Sequence, residues 1–460
     1  MAGAEAETRT PWGTAEELQA RKLNPGMGVS AAEVARSQRE RLFGAVVLAG
    51  VERGYEATTV ADLLALSGVS RASFYRHFND KSECFAAAIA EIFRIATTAV
   101  SHGLQGEGSW PERGREGFDL MLEMIVAEPA AARCSLVEAW RARGQSAEQL
   151  DQARAVSAGL TEAVFQHLDD HAGTPPELVA AIIGGVHAVI YRRLALGQTA
   201  ELAELGDGLW EWALSYPPPP APLVGRGRTR RRGPAQMPPF AAHVPAERML
   251  RGFSAAVAAK GFERATIADI ATAASMSQAT FYEHFANKEE ALAAALDSSG
   301  AQLLAATLPA VRRAPDWPSA MRAAMETICG FLAAEPDFAR LRAVEVYAIG
   351  PEAVAARDRA GREILQVVLA LAFEEPPQMD SLAVEAMAGA VNSLFYDRVR
   401  REGPASLPEA APLAIYIALA PLVGPETAYA VAAGDRHGID RAVAESTAPH
   451  GRLRATSSAS

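Results

Sequence analysis

The chain has 460 residues, of which 49% are hydrophobic and 22% charged, and its formal net charge is −11. This length exceeds what one hydrophobic core usually serves, so we expect at least two domains, and the composition is typical of a soluble globular protein. The acidic balance excludes indiscriminate polyanion binding by the whole surface but leaves room for a local basic face.

The N-terminal stretch MAGAEAETRTPWGTAEELQA is polar and acidic and lacks the apolar core of a signal peptide. Arg, His or Pro interrupts each long apolar stretch, so we expect no membrane-spanning segment. Three cysteines, Cys84, Cys134 and Cys329, are widely separated and have no metal-ligand spacing, which favours free thiols. We therefore expect a cytoplasmic protein without a metal site or cofactor.

Hydrophobic periodicity predicts helices along almost the whole chain, beginning with a helix that contains Leu42 and Val46 and ends at Gly54. Thr59 followed by Asp62 has the pattern of a capping box and predicts a short second helix. The sequence SGVS then predicts a tight turn.

A third short helix follows the turn, and Ser70 is its expected N-cap. Phe74 and Phe78 are four residues apart, so they face inward together, and Asp80 begins a long fourth helix. The side chains left outward are polar, basic or phenolic: Arg71, Ser73, Tyr75, Arg76 and His77. A short helix that presents such groups after a tight turn is typical of a helix-turn-helix that reads DNA.

The same pattern occurs twice. Gly54–Glu83 aligns without a gap on Gly261–Glu290 at an offset of 207 residues (261 − 54), with 13 of 30 positions identical. Thr266 with Asp269, Ser277, and Asn287 with Glu290 supply the matching helix starts. A period this long indicates a duplicated domain and not a solenoid. We call Thr59–Lys81 head one and Thr266–Lys288 head two.

The two copies are separated by the Pro-rich and Arg-rich segment Tyr216–Pro239, which predicts an extended spacer. Its arginine run, Arg226–Arg232, is either simply solvated or a DNA minor-groove arm. The predicted organisation is a disordered tail (1–35), helix-turn-helix domain 1 (36–85), helical effector or dimerisation domain 1 (86–215), a linker (216–243), helix-turn-helix domain 2 (244–292), helical domain 2 (293–435) and a disordered tail (436–460).

Both copies resemble the TetR family of bacterial transcription regulators, on the segments TVAD, FYRHF and FYEHF and the lysine three residues after each FYxHF. The resemblance implies an all-α fold of two units, each with an N-terminal helix-turn-helix bundle and a helical ligand-binding or dimerisation bundle. It also implies binding to double-stranded operator DNA and relief by a small-molecule effector. The implied DNA-facing residues are Thr59, Ser70, Arg71, Ser73, Tyr75, Arg76, His77, Lys81, Thr266, Ser277, Gln278, Thr280, Tyr282, His284 and Lys288.

By this resemblance Tyr75, His77 and Lys81 hold phosphates, while Arg71, Ser73 and Arg76 probe bases. Ser70–Lys81 carries three cationic side chains against Asp80, or +2, whereas Ser277–Lys288 carries one lysine against one glutamate, or 0. We therefore expect head one to bind phosphates more strongly. Position 68 is glycine, but its counterpart Ser275 fits a positive φ less easily.

The effector site is less clearly marked. One candidate set combines a carboxylate with aromatic neighbours: Cys134, Glu138 and Trp140, with Glu345 and Tyr347 in the second copy. This set either binds a cationic or hydroxylated effector or contains ordinary helix-surface acids. His187, on an apolar helix, is interpreted as a core histidine.

No nucleophile-elbow, zinc-protease, Walker or Rossmann motif occurs, so we do not expect an enzyme. The alternative to a DNA-binding repressor is a small-molecule binding or scaffold protein whose heads no longer bind DNA. Two assemblies remain open, namely an intramolecular pseudo-dimer of the two copies and a homodimer of tandem chains.

Overall fold

The computed structural model describes residues 8–23, 28–141, 145–223, 244–372 and 380–446. Over these residues the backbone consists of helices and turns, with an isolated β-bridge between Thr10 and Gly13, so the predicted all-α class is confirmed. The chain divides into two compact units. Unit 1 is Met1–Ala213 with Val346–Val354, and unit 2 is Leu214–Glu345 with Ala355–Ser460.

The first copy contains α1 (Ala15–Ala20), α2 (Ala31–Arg53), α3 (Val60–Ser67), α4 (Arg71–His77), α5 (Lys81–Gly103), α6 (Trp110–Ala127), α7 (Pro129–Leu136), α8 (Gln145–Gln166), α9 (Pro176–Ala195) and α10 (Leu202–Ala213). Short 3₁₀ turns lie at Glu138–Arg141, Asp169–His171 and Thr199–Glu201.

The second copy contains α11 (Pro245–Lys260), α12 (Ile267–Ala274), α13 (Gln278–His284), α14 (Lys288–Arg312), α15 (Trp317–Ala334), α16 (Pro336–Arg340), α17 (Val346–Ile349), α18 (Pro351–Ala372), α19 (Ser381–Arg401), α20 (Leu407–Val423), α21 (Pro425–Ala433) and α22 (Arg436–Ser446). A π-helical turn, Leu341–Glu345, follows α16, and a 3₁₀ turn, Pro404–Ser406, precedes α20.

The predicted helix starts are confirmed. The Asp62 carboxylate accepts from the Thr59 amide at 2.9 Å while Thr59 Oγ1 accepts from the Asp62 amide at 3.3 Å, and Thr266 and Asp269 form the same capping box. Ser70 and Ser277 cap α4 and α13. Asp80 and Asn287 cap the long helices α5 and α14, each by accepting from the amide three residues ahead.

The structure corrects the prediction that residues 1–35 form a disordered tail. Thr14 and Glu17 form a capping box at the start of α1, and the side chain of Leu18 is fully buried against the first copy's core. Trp12 packs on Phe43 with ring centroids 5.3 Å apart. Burial of Leu18 and Trp12 stabilises this segment. The polar residues around them account for the prediction of a tail.

The first residues of the predicted linker, Tyr216 and Pro217, are packed in unit 2 and do not form a spacer. Tyr216 is fully buried in unit 2, where its hydroxyl donates to the Ile417 carbonyl at 3.1 Å, and the Tyr416 hydroxyl donates to the Pro217 carbonyl at 2.7 Å. The arginine run 226–232 lies outside the described residues. At the other end, α22 occupies part of the region predicted as a disordered C-terminal tail.

Among the residues that the structure describes, four helical segments are long and apolar enough to cross a membrane by length and composition, contrary to our expectation: Lys81–Gly103, Pro176–Ala195, Lys288–Arg312 and Pro404–Val423. Their alanine-rich sequences raise the mean hydropathy even where a charge or proline interrupts them. Between 33% and 61% of each apolar window is buried within the protein, so packing accounts for much of this apolar character.

Candidate nucleic-acid interface

Each head presents a tyrosine to solvent from a short helix anchored by two phenylalanines. In head one, Phe74 and Phe78 of α4 are buried, whereas 51% of Tyr75 is exposed. In head two, Phe281 is buried and 58% of Tyr282 is exposed. The phenylalanines fix the rotation of each helix, so the phenols point away from the core as predicted.

The turn before each of these helices requires a left-handed residue. Gly68 has φ 62° and ψ 20°, and Ser275 has φ 54° and ψ 47°. Ser275 is the one non-glycine residue with positive φ in the part of the chain that the structure describes. The expected conflict at this position is therefore present in head two.

Most of the predicted DNA-facing side chains are exposed. Arg71 and Arg76 of α4 are on the surface, as are Gln278 and Glu283 of α13. Among the predicted side chains, the hydroxyl groups of Thr59, Ser70, Thr266 and Ser277 also act as helix caps. Head one therefore presents two guanidinium groups where head two presents an amide and a carboxylate.

Ser73 is buried, which corrects the prediction that its side chain faces outward. Only 6% of the residue is exposed, and its Oγ accepts from Ser70 Oγ at 3.0 Å and from the Arg76 guanidinium at 2.7 Å. Its counterpart Thr280 is half-buried and pairs with Ser277 at 2.9 Å. Both hydroxyls belong to the cap network, because the third residue of a helix lies beside its N-cap.

The predicted histidines of the two heads, His77 and His284, differ in their burial. His77 is half-buried, and its Nε2 lies 2.9 Å from Gln38 Oε1 on α2. Burial, assisted by the charges of Arg39 and Arg76, lowers the pKa of His77. His284 is exposed, and Pro245 occupies the position equivalent to Gln38 (38 + 207). Head one thus holds its histidine against α2 with a side chain that head two does not have.

Both predicted phosphate-binding lysines are engaged with backbone carbonyls. Lys81 Nζ donates to the carbonyls of Tyr55 at 2.8 Å and Glu56 at 3.2 Å, and lies 4.4 Å from the Tyr55 ring centroid. Lys288 Nζ donates to Phe262 at 2.7 Å and lies 4.3 Å from that ring. The geometry therefore assigns these lysines to holding the loop before each head's first helix.

Sequence reasoning missed a pair of arginines. Arg41 on α2 is buried and donates to the Ser67 carbonyl at the end of α3, at 2.9 Å. Arg248 on α11 donates to the carbonyls of Ala274 and Ser275 at 3.1 and 3.2 Å. The offset of 207 (248 − 41) is the signal that could have identified the pair. Each guanidinium caps the helix that leads into the turn.

Both heads lie in segments that match a known family model. The family model for bacterial regulatory proteins of the tetR family matches residues 50–88 and 254–295, that is, all of each head with parts of the helices on both sides. The family model thus matches the chain twice, once in each copy of the duplicated domain.

One curated relative of the chain is the uncharacterised HTH-type transcriptional regulator YezE of Bacillus subtilis (strain 168), which is 29% identical over 86 residues. The match covers 19% of the chain and 44% of YezE, so it spans less than half the length of that relative.

Two solved structures are also similar to the chain. The fatty acid degradation regulator FadR from Bacillus halodurans has 14% identity, and FadR from Bacillus subtilis in complex with stearoyl-CoA has 13% identity. The TM-score is 0.36 for each, and each comparison covers 38% of this chain and 97% of the FadR chain.

Each unit also contains a cavity. In unit 1 a cavity of about 140 Å³ lies between α5, α6, α8 and α9. Its lining is apolar except for a few groups that include Thr97, Arg154, Thr161 and His187. Burial and the charge of Arg154 lower the pKa of His187 to about 4, so this imidazole is neutral at neutral pH. His187 is therefore a cavity-lining residue and not an ordinary core histidine.

In unit 2 a cavity of about 170 Å³ lies between α14, α15, α18 and α19. Its lining includes two arginines, Arg342 and Arg357, of which 8% and 4% are exposed, together with Asn392. Asn392 takes the place of His187, at the offset of 205 residues (392 − 187) that applies in this part of the chain.

The residues predicted to bind an effector are not among those that line these two cavities: Cys134, Glu138, Trp140, Glu345 and Tyr347. Glu138 is buried between Arg141 at 3.4 Å and Arg133 at 3.9 Å. Within unit 1, Trp140 stacks on Tyr347 with centroids 4.8 Å apart. Glu138 and Trp140 thus each have partners within unit 1, because a buried carboxylate requires a cation and a half-buried indole favours another ring.

Proposed function

We propose that the chain is a sequence-specific, DNA-binding transcriptional repressor of the TetR type, acting in the cytoplasm and relieved by a small-molecule effector. The observation that carries the proposal is the exposed tyrosine on each recognition helix, Tyr75 and Tyr282, held outward by buried phenylalanines. A core role would bury these phenols, whereas a helix that enters a major groove needs them outside.

In the proposed complex, α4 and α13 each lie in a major groove of double-stranded operator DNA. Tyr75 and His77 contact phosphates, and Arg71 at the start of α4 reads a base edge, for which guanine is the preferred partner of arginine. Gln278 occupies the same position of α13, and glutamine favours adenine. The two heads would therefore recognise different half-sites.

In this proposal Lys81 and Lys288 act mainly by holding the neighbouring backbone in place. Their ammonium groups join the loop before each head's first helix to the start of the following long helix. They add positive charge near the DNA, while the carbonyl contacts keep the loop in place.

The cavities supply the effector sites. Each is lined by helices of its own unit that lie C-terminal to the head, so an occupant can change how α5 or α14 is packed. To shift the protein from 1:99 to 99:1 between states, an effector must prefer one state by about 5.5 kcal/mol. Relief of repression follows when the preferred state does not fit the operator.

Two assemblies could place two heads on one operator, namely the two copies of one chain or two tandem chains. Heads on successive major grooves of one DNA face are separated by about 34–36 Å. Light scattering distinguishes the assemblies, since the first has a mass near 48.7 kDa and the second twice that.

The proposal is tested by fluorescence anisotropy with labelled DNA from the region upstream of the chain's own gene. We expect salt-dependent, sequence-selective binding, weakened about tenfold when Tyr75→Phe and Tyr282→Phe are combined, because each change removes only a hydroxyl that donates to a phosphate. Tyr429→Phe, on α21 and outside the heads, is the matched control. Binding that ignores sequence and both hydroxyls would favour the small-molecule or scaffold alternative.

A further inference from the structure

We propose that the unit 2 cavity is a binding site for a small apolar carboxylate, whose anionic group is held by Arg342 and Arg357. The inference rests on the proposed function in that it gives the chemical class of one effector. It is specific to the second copy, so the two copies would respond to different ligands.

The cavity combines an apolar wall with two buried cations. Its other lining residues are mainly aliphatic, methionine or phenylalanine side chains, such as Met321, Ile364 and Phe395. Both arginines are more than nine-tenths buried, and the residues that line this cavity include no Asp or Glu. Apolar surface with two cations at one place matches a ligand with a hydrocarbon body and one anionic end.

The two arginines have different partners. Arg357 pairs with Asp358, at 2.9 Å from Nε and 2.8 Å from Nη2. Arg342 donates from Nη1 to Ser299 Oγ at 3.0 Å and to the Leu296 carbonyl at 3.3 Å, both neutral acceptors. These bonds use one nitrogen of a group that has five N–H donors. The hydrogen bonds that Arg342 makes here are therefore to uncharged groups.

Arg342 remains a cation despite its burial. Removal from water, with the charge of Arg357 acting in the same direction, lowers the pKa of Arg342 to about 10, which is still well above neutral pH. A buried guanidinium without a full counter-charge is costly. A ligand carboxylate would supply that charge through two parallel hydrogen bonds, the geometry that arginine favours.

The backbone forms a π-helical turn at Arg342. Arg342 lies in the π-helical turn Leu341–Glu345, whereas α7 and a 3₁₀ turn occupy the equivalent stretch of the first copy. Single π turns are rare and often occur at functional sites. Here the widened turn accompanies the placement of a guanidinium on the cavity wall.

The first copy has no arginine at the position of Arg342. The equivalent residue is Ser135 (342 − 207), which is buried and donates to the Ala131 carbonyl at 2.8 Å. One arginine, Arg154, lines the unit 1 cavity, whereas two line the unit 2 cavity. The second arginine is therefore a difference between the copies and not a requirement of the shared fold.

The cavity volume limits the size of the ligand. A protein cavity of about 150 Å³ lined by aliphatic and aromatic side chains accepts benzene. The volume of about 170 Å³ in unit 2 thus suits a body of that scale. We infer a short-chain, branched or monocyclic carboxylate.

The test is calorimetric titration of the full chain at neutral pH without DNA, using butanoate, hexanoate, octanoate and phenylacetate, each paired with its neutral amide. We expect at least one acid to bind, and its amide to bind about tenfold or more weakly. If no acid binds, or if acid and amide bind equally, the inference is wrong.

The variants Arg342→Gln and Arg342→Lys assign the site. We expect Arg342→Gln to abolish the preference for the acid and Arg342→Lys to retain part of it, while Arg154→Gln, in the unit 1 cavity, leaves it unchanged. Circular dichroism checks the fold of each variant, and if Arg342→Gln does not fold, the lysine variant and the acid–amide comparison decide. A preference that survives Arg342→Gln in a folded protein would place the anion elsewhere and overturn the inference.

The outcome is separable from that of the proposed function. Carboxylate binding is measured without DNA, and release from DNA is then followed by anisotropy with the same acid. An acid that binds but does not release DNA supports the site and counts against its proposed regulatory role. DNA binding without any carboxylate binding supports the proposed function and overturns the carboxylate site.

Discussion

The guanidinium of Arg41 donates a 2.9 Å hydrogen bond to the Ser67 carbonyl, across 26 residues of sequence. The acceptor is the last residue of α3, directly before the left-handed Gly68. Arg248 repeats the contact in the second copy. In both copies a cation from the preceding helix thus determines where the helix ends and the turn begins.

Replacing Arg41 with Met should destabilise unit 1 by about 2 kcal/mol, because the buried carbonyl would lose a charged donor. Urea unfolding followed by circular dichroism measures the loss. Arg53→Gln is the control, since it removes an exposed ion pair to Asp62 that is worth less than about 1 kcal/mol. Equal losses in the two variants would show that Arg41 acts only as surface charge.

Ser275→Gly should stabilise unit 2 by about 1 kcal/mol, since serine at φ 54° carries a steric cost that glycine does not. The change is measured as a shift of the unit 2 transition in thermal unfolding. The control is Ala273→Gly, two residues earlier in α12, which should destabilise by about 1 kcal/mol. If both glycines destabilise, the turn carries no strain.

His187→Asn should make the protein less sensitive to acid. In the unfolded chain His187 takes up a proton as pH falls through about 6.5, whereas in the folded protein its pKa is about 4. The unfolded state therefore binds more protons between these values, and stability falls on acidification across that window.

The expected size of this effect is about 2 kcal/mol between pH 7 and pH 5, at 1.36 kcal/mol per pKa unit. Urea unfolding of the wild type and of His187→Asn at both pH values measures it. Asparagine occupies the equivalent position of the second copy, so the substitution should be tolerated. The same pH dependence in both proteins would exclude His187 as its source.

Exchanging the residues that differ between the two heads should exchange the affinities of the heads for DNA. Arg71→Gln with Arg76→Glu gives head one the side chains of head two, and we expect binding to weaken and to depend less steeply on salt because fewer phosphates are neutralised. Gln278→Arg with Glu283→Arg should do the opposite. Anisotropy titrations at several salt concentrations give the slopes, and unchanged slopes in both variants would contradict the predicted inequality of the heads.

The sequence by itself determined the duplication, the all-α class, the helix starts and the outward tyrosines. Those inferences depend on residues close together in the chain: Thr59 caps through Asp62, and Phe74 and Phe78 face inward because they are four positions apart. Hydrogen bonds and helical periodicity over such distances are the same in any fold that keeps the helix. The repeat offset then extended each inference to the second copy.

The tertiary structure alone decided which polar groups are buried and what they contact. The ordering of Leu18, the carbonyl contacts of Lys81 and Arg41, and the place of Arg342 on a cavity wall each depend on residues brought together from distant parts of the chain. Glu138 is an example: it has the local pattern of a binding residue, and only the fold shows that it is paired with arginines. Burial and pairing are properties of the packed structure, so periodicity along the chain does not specify them.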